Sequence, residues 1–154
     1  MVKIGVDSSG HVKNPPIWMA ATRLSKKKGQ LKYGVYLSIE EHEKLRGSCR
    51  NWYEKISAIL IFKAVKPIFY DGDAIVIDTD FQGSQKYVEK YLTKLFNQTY
   101  LRKPLMANPN IFFIPARDEE VVKHAHIKSK CFRYKSIRIN DKNPNLENEL
   151  RMLE

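Results

Sequence analysis

Apolar residues follow one rhythm at the start of this chain and another after its first third. Val2, Ile4 and Val6 alternate with Lys3, Gly5 and Asp7, so Val2 to Asp7 reads as a strand. Gly5 and Asp7 then share the face opposite the apolar one. Ser8 to Pro16, rich in Ser, Gly, Asn and Pro, reads as a loop. Ile17 to Leu24 is a second strand and Gln30 to Ile39 a third, with Tyr33, Val35, Leu37 and Ile39 in alternation. Ser25-Lys26-Lys27-Lys28-Gly29 fits a hairpin turn between them, giving an antiparallel meander.

Ile39 to Arg46 is polar and fits either a short helix or an excursion. From Ser48 the period lengthens. Tyr53, Ile56, Ile59, Leu60 and Lys63 recur at helical spacing, and Ala58, Ile61, Phe62 and Val65 fill the other flank. This predicts a buried helix over Ser48 to Lys66, capped by Ser48 and ended by Pro67. Tyr70-Asp71-Gly72-Asp73 reads as a turn into a strand from Ala74 to Asp80. A helix follows over about Ser84 to Gln98, striped by Tyr87, Val88, Tyr91, Leu92, Leu95 and Phe96. After a loop marked by Pro104 and Asn108-Pro109, Ile111 to Ile114 reads as a short buried strand. Glu119 to about Tyr134 is a last helix, acidic at its start and basic at its end as the macrodipole favours. The predicted order is β-β-β-α-β-α-β-α: an α/β domain over residues 1–139 with a mixed five-stranded sheet flanked by helices. Residues 140–154 read as a mobile tail, with a terminal helical turn as the alternative for its last residues.

Composition narrows the class. The chain has 154 residues, enough for one domain with a core, and 43% apolar residues exclude a disordered chain. The longest apolar run, Ile56 to Val65, is interrupted by Ser57 and Lys63, so no membrane span is expected. The start lacks a signal-peptide pattern, which points to a cytoplasmic protein. Cys49 and Cys131 have neither disulfide-framework nor metal-ligand spacing. A formal charge of +10 favours a polyanionic partner, nucleic acid before membrane.

Three stretches carry a family likeness: Ile4-Gly5-Val6-Asp7-Ser8-Ser9-Gly10 with the following Lys13-Asn14-Pro15-Pro16; Tyr53-Glu54-Lys55-Ile56-Ser57-Ala58-Ile59; and Ile77-Asp78-Thr79-Asp80-Phe81-Gln82. In their order, and with the elements between them, they resemble the ribonuclease H-like superfamily of nucleases, transposases and resolvases. The resemblance implies that fold, a site for Mg2+ or Mn2+, and Asp7, Glu54 and Asp80 as its carboxylates. It does not extend to the last helix, where no acid occupies the position of a fourth carboxylate. His124, His126 and Asp118 are the candidates there.

The chemistry of that implied site has a physical basis. Phosphodiester hydrolysis by two divalent ions needs oxygen ligands converging from several elements, with water positions left open. Asp7 would bridge the metals, and Glu54 and Asp80 would complete the set. Asp78 and Asp80 share parity on one strand, so both can face Asp7. Strand-end aspartates also make Asx turns, and Glu54 can pair with Arg50 one turn earlier. His124 and His126, two apart, do not share a helix face; His126 is the candidate general acid or second-metal contact. Lys13, Lys27, Arg50 and Lys128 are candidate phosphate contacts, with Arg23 and Arg133 also available. Trp18 and Trp52 could stack on sugars or bases, although Trp is more often a core residue.

The expected function is a two-metal nuclease acting on RNA, RNA–DNA hybrid or structured DNA, with no small-molecule cofactor. A non-catalytic nucleic-acid-binding domain with an incomplete metal site is the alternative. A protein-interaction module, its charge serving solubility, is a third reading. The oligomeric state is open.

Overall fold

The computed structural model of the protein describes residues 2–11, 14–25, 29–79, 85–99 and 108–154. Three strands, β1 (Lys3–His11), β2 (Asn14–Ser25) and β3 (Gly29–Leu37), form the meander. Helices α1 (Ile39–Leu45) and α2 (Trp52–Val65) precede β4 (Ala74–Ile77). Then come α3 (Gln85–Thr99), β5 (Asn110–Phe113), α4 (Glu120–Arg133), β6 (Asp141–Lys142) and α5 (Glu147–Met152). The sheet has six strands rather than five, in the order β5-β4-β1-β2-β3-β6. β2 is antiparallel to β1 and β3, whereas β4 runs parallel to β1, β5 to β4 and β6 to β3.

The alternation of β1 divides the molecule. Ile4 and Val6 are fully buried in the main core with Met19, Val35 and Ile77 of the neighbouring strands. Ile56, Ile59 and Leu60 of α2 and Leu92, Leu95 and Phe96 of α3 complete that core. Gly5 faces the other way, toward α4. A Cβ on Gly5 would lie 2.2 Å from the Val121 carbonyl oxygen, so this glycine permits the first turn of α4 to rest directly on the sheet. Thr22, paired with Gly5, donates its hydroxyl to the same carbonyl at 2.9 Å. At the other end of α4 the Phe132 ring occupies the space that a Gly34 side chain would need. Small residues on the strands thus set how deeply α4 sits.

Several expectations change. Within the stretch expected as a loop, Ser8 to His11 and Asn14 to Pro16 belong to β1 and β2: Ser8 pairs with Met19, Ser9 with Trp18 and His11 with Asn14. A register shift between Ser9 and His11 coincides with Gly10 at φ 86°. Backbone pairing needs no apolar side chain, so the polar letters concealed it. α2 begins four residues later than Ser48, behind Asn51 in a left-handed conformation. The polar Ile39 to Arg46 stretch is a helix, capped by the Ser38 side chain, which accepts from the Glu41 amide.

The segment expected as a tail packs against the domain. β6 pairs with Val35 and Tyr36, and the Asn140 side chain accepts from the Gly34 amide at 2.9 Å. Leu146 and Leu153 are buried in the main core, and Glu149 accepts from Lys63 at 2.9 Å. Leu146, Leu150 and Leu153 recur at helical spacing, with Leu150 and Met152 also packed on the core. Over only about two turns in an otherwise polar stretch, that pattern is too short to tell a docked helix from a solvated one. Arg23, expected as a phosphate contact, is instead buried with Asp73 at 3.1 Å and lies 4.6 Å from the Tyr70 ring. No helix among the described residues is long and apolar enough to cross a membrane.

Candidate metal centre

The register of β1 and β4 builds the site. The parallel pairing runs through Val6 and Ile77, and the Asp78 amide donates to the Val6 carbonyl at 3.1 Å. Asp7 and Asp78 are therefore the next residues on the two strands, side by side. Both lie on the face of Gly5 and Val76, which α4 covers. Ligands bind α/β sheets beyond the carboxyl ends of parallel strands because backbone amides and side chains are left unpaired there. Asp7 occupies that position relative to β4, although β1 itself continues in the hairpin.

α4 contributes the third group. His126 Nδ1 lies 2.6 Å from Asp7 Oδ2, and Asp7 Oδ1 accepts from the Ser8 amide at 2.8 Å. Ligand atoms of Asp7, Asp78 and His126 all lie within 4.8 Å of one another, the group among the described residues suited to holding a cation. Asp78 is 3% exposed and the Asp7 side chain 11%, while His126 is 45% exposed. Two acids are thus sunk in the sheet beneath an imidazole at the solvent boundary.

The electrostatics follow from that burial. The Asp7 carboxyl is pushed up from 3.8 to about 6, chiefly because burial strips water from its charged form. The hydrogen bond with His126 pulls it down, the charge of Asp78 pushes it up, and the Ser8 amide pulls it down. The two stabilising bonds do not offset desolvation and the second acid. A divalent cation between the acids would, since an opposite charge at contact distance favours both carboxylates.

The donor set fits such an ion. Carboxylate oxygens suit Mg2+ and Mn2+, whereas imidazole suits transition ions better than Mg2+. Three protein ligands also leave positions for water and substrate oxygens.

The remaining candidates are distributed as follows. Glu54 lies in the first turn of α2, outside the Asp7–Asp78–His126 group and without an ion pair to Arg50, which is exposed in the preceding turn. Asp80, Lys13 and Lys27 lie outside the described residues. His124 sits near Gln30 at 3.4 Å and Glu120 at 3.4 Å, and Asp118 is exposed beside Arg117. Neither belongs to the group. Lys128 is half-buried on α4, two residues past His126. Trp52 is half-buried against the main core, packed edge-on on His42 and Tyr53.

Trp18, a candidate for stacking on bases, has a ring partner that a reading of motifs did not name. Trp18 and Tyr36 are opposite each other on β2 and β3, with ring centroids 5.4 Å apart. Their equal spacing from the lysine-rich hairpin turn was the available signal. No protein-family model matches this chain, and no curated protein matches it.

Proposed function

We propose that the protein is a metal-dependent nuclease of ribonuclease H-like architecture, and the convergence of Asp7, Asp78 and His126 is the observation that carries the reading. Supporting it are an antiparallel meander followed by parallel strands alternating with helices, acids where β1 and β4 run side by side, and the charge of +10. Asp7, Asp78 and His126 would hold Mn2+ or Mg2+. Such an ion supplies positive charge toward phosphate oxygens and acidifies bound water.

The chain's own groups have definite tasks. Asp7 and Asp78 are fixed by strand backbone, so the ligand oxygens need little reorganisation. The proton that Asp7 keeps up to about pH 6 would be released on ion binding, so affinity would rise with pH. His126, at the solvent rim, would give a ring nitrogen to the ion from the side open to substrate. The free thiols of Cys49 and Cys131 suit the cytoplasmic setting proposed for this activity.

The test is cleavage of end-labelled RNA, DNA and RNA–DNA hybrid with Mn2+, Mg2+ or EDTA. The reading expects metal-dependent product that Asp7→Asn and Asp78→Asn abolish while circular dichroism stays unchanged. Binding without cleavage by the folded wild type, in either metal, would sink it in favour of a non-catalytic domain. The placement of Glu54 outside the three-residue group is the observation on that side.

A further inference from the structure

The face of the sheet that carries the metal centre also carries a second feature, beyond the C-terminal end of α4. An open cavity of about 580 Å3 lies there, between the outer strands and the chain that leads from α4 into β6. Its size falls in the roughly 300–1,000 Å3 range of small-ligand sites. Trp18 and Tyr36 line it as a tilted aromatic pair, both half-buried with the remainder facing the opening. Arg133, Lys135, Arg138 and Lys142 surround them, all exposed, and no acidic side chain lines the cavity.

Arg133 joins the two sites. Its guanidinium lies 5.4 Å from the Trp18 ring centroid, and Nη1 donates to Ser9 Oγ at 3.3 Å. Ser9 is two residues beyond Asp7 on the same face of β1, ~7 Å along an extended strand. A chain of phosphates reaching Asp7 would therefore pass over Arg133 into the cavity.

We infer that this groove binds single-stranded nucleic acid, stacking an unpaired base on Trp18 and Tyr36 and holding the adjoining phosphates with Arg133, Lys135, Arg138 and Lys142. Aromatic platforms flanked by cations suit single strands, because every base offers a π-face only when it is unpaired. Duplex buries those faces, and an acidic peptide would use the cations without needing the aromatic pair. As the substrate class of the nuclease, the inference rests on the proposed function; as a binding site, it is measurable without cleavage.

The experiment is fluorescence anisotropy of labelled 12-nucleotide DNA and RNA strands and their duplexes, in EDTA, across a salt series. Wild type is expected to bind at least one of the single strands more tightly than its duplex. Trp18→Ala should weaken strand binding about tenfold, the loss of one stacked base, with the salt slope kept. Arg138→Gln, on an exposed residue that does not threaten folding, should reduce the salt slope by about 0.7. Asp7→Asn should leave strand affinity intact while abolishing cleavage, which separates failure of the groove from failure of the metal site. Equal affinity for strand and duplex, a strand affinity unmoved by both groove substitutions, or equal binding of a polyglutamate peptide would overturn the inference.

Discussion

Asp7 on β1 and His126 on α4 are 119 positions apart in the chain, yet Oδ2 and Nδ1 meet at 2.6 Å. The contact exists because Gly5 lets the Val121 carbonyl approach the sheet, which brings the following helical turns over Asp7. Asp78 reaches the same place by a different route, through the parallel register of β4 on β1. The result is an acid held at a cost in the absence of a cation, with consequences that can be measured.

The first concerns pH. Asp7 has a folded-state pKa of about 6 against 3.8 ordinarily. The folded protein keeps this proton when the unfolded chain has lost it, so stability falls as pH rises from about 4 to 6 and is flat beyond. The size of the loss is about 3 kcal/mol, to order of magnitude. Urea unfolding of wild type and Asp7→Asn across pH 4–7 should show the variant gaining on wild type as pH rises. Parallel curves would mean that Asp7 is not strained by its surroundings.

A second prediction concerns metal. Mn2+ at a hundredfold excess over its dissociation constant should stabilise the wild type by about 2.7 kcal/mol, several degrees in Tm. Mg2+ should do less, since it gains little from an imidazole. Asp78→Asn should abolish the shift, and His126→Ala should narrow the gap between the two metals. Equal shifts in wild type and Asp78→Asn would place the ion elsewhere.

Helix placement can be tested at a distance from the acids. Gly5→Ala puts a methyl against the Val121 carbonyl and should displace the first turn of α4. A cost of about 1–3 kcal/mol is expected for such overpacking. Manganese affinity should fall as well, because His126 moves with the helix. Unchanged affinity in a destabilised variant would show that α4 does not position the site.

The C-terminal segment makes a fourth case. Truncation after Ile139 removes β6 and the buried Leu146 and Leu153. Each leucine contributes about 1.5–3 kcal/mol on burial, so the shortened chain should lose at least about 3 kcal/mol or fail to fold. Denaturation midpoints of the two lengths measure this directly, and equal midpoints would reject the packing described for residues 140–154.

The alternation of Val2, Ile4 and Val6 was enough to put Gly5 and Asp7 on one face, because strand side chains have a period of two whatever lies above them. The stripes of the later helices were legible for a similar reason: local periodicity records which side is buried. Strand pairing of Ser8 to His11 was not legible, since backbone hydrogen bonds leave no mark on polar side chains. Nor was the docking of the C-terminal segment, where Leu146, Leu150 and Leu153 keep helical spacing over only about two turns among polar residues.

The candidate site divides along the same line. Sequence by itself determined that Asp7 and Asp78 each end an apolar run with the parity to face one way. Tertiary structure decided that β4 lies beside β1 in the register that sets them together, and that His126 rather than His124 turns toward them. Parity is a property of one strand, but register and helix docking depend on contacts between residues a hundred positions apart. Those contacts are set by packing, through the space left at Gly5 and the ring of Phe132 over Gly34.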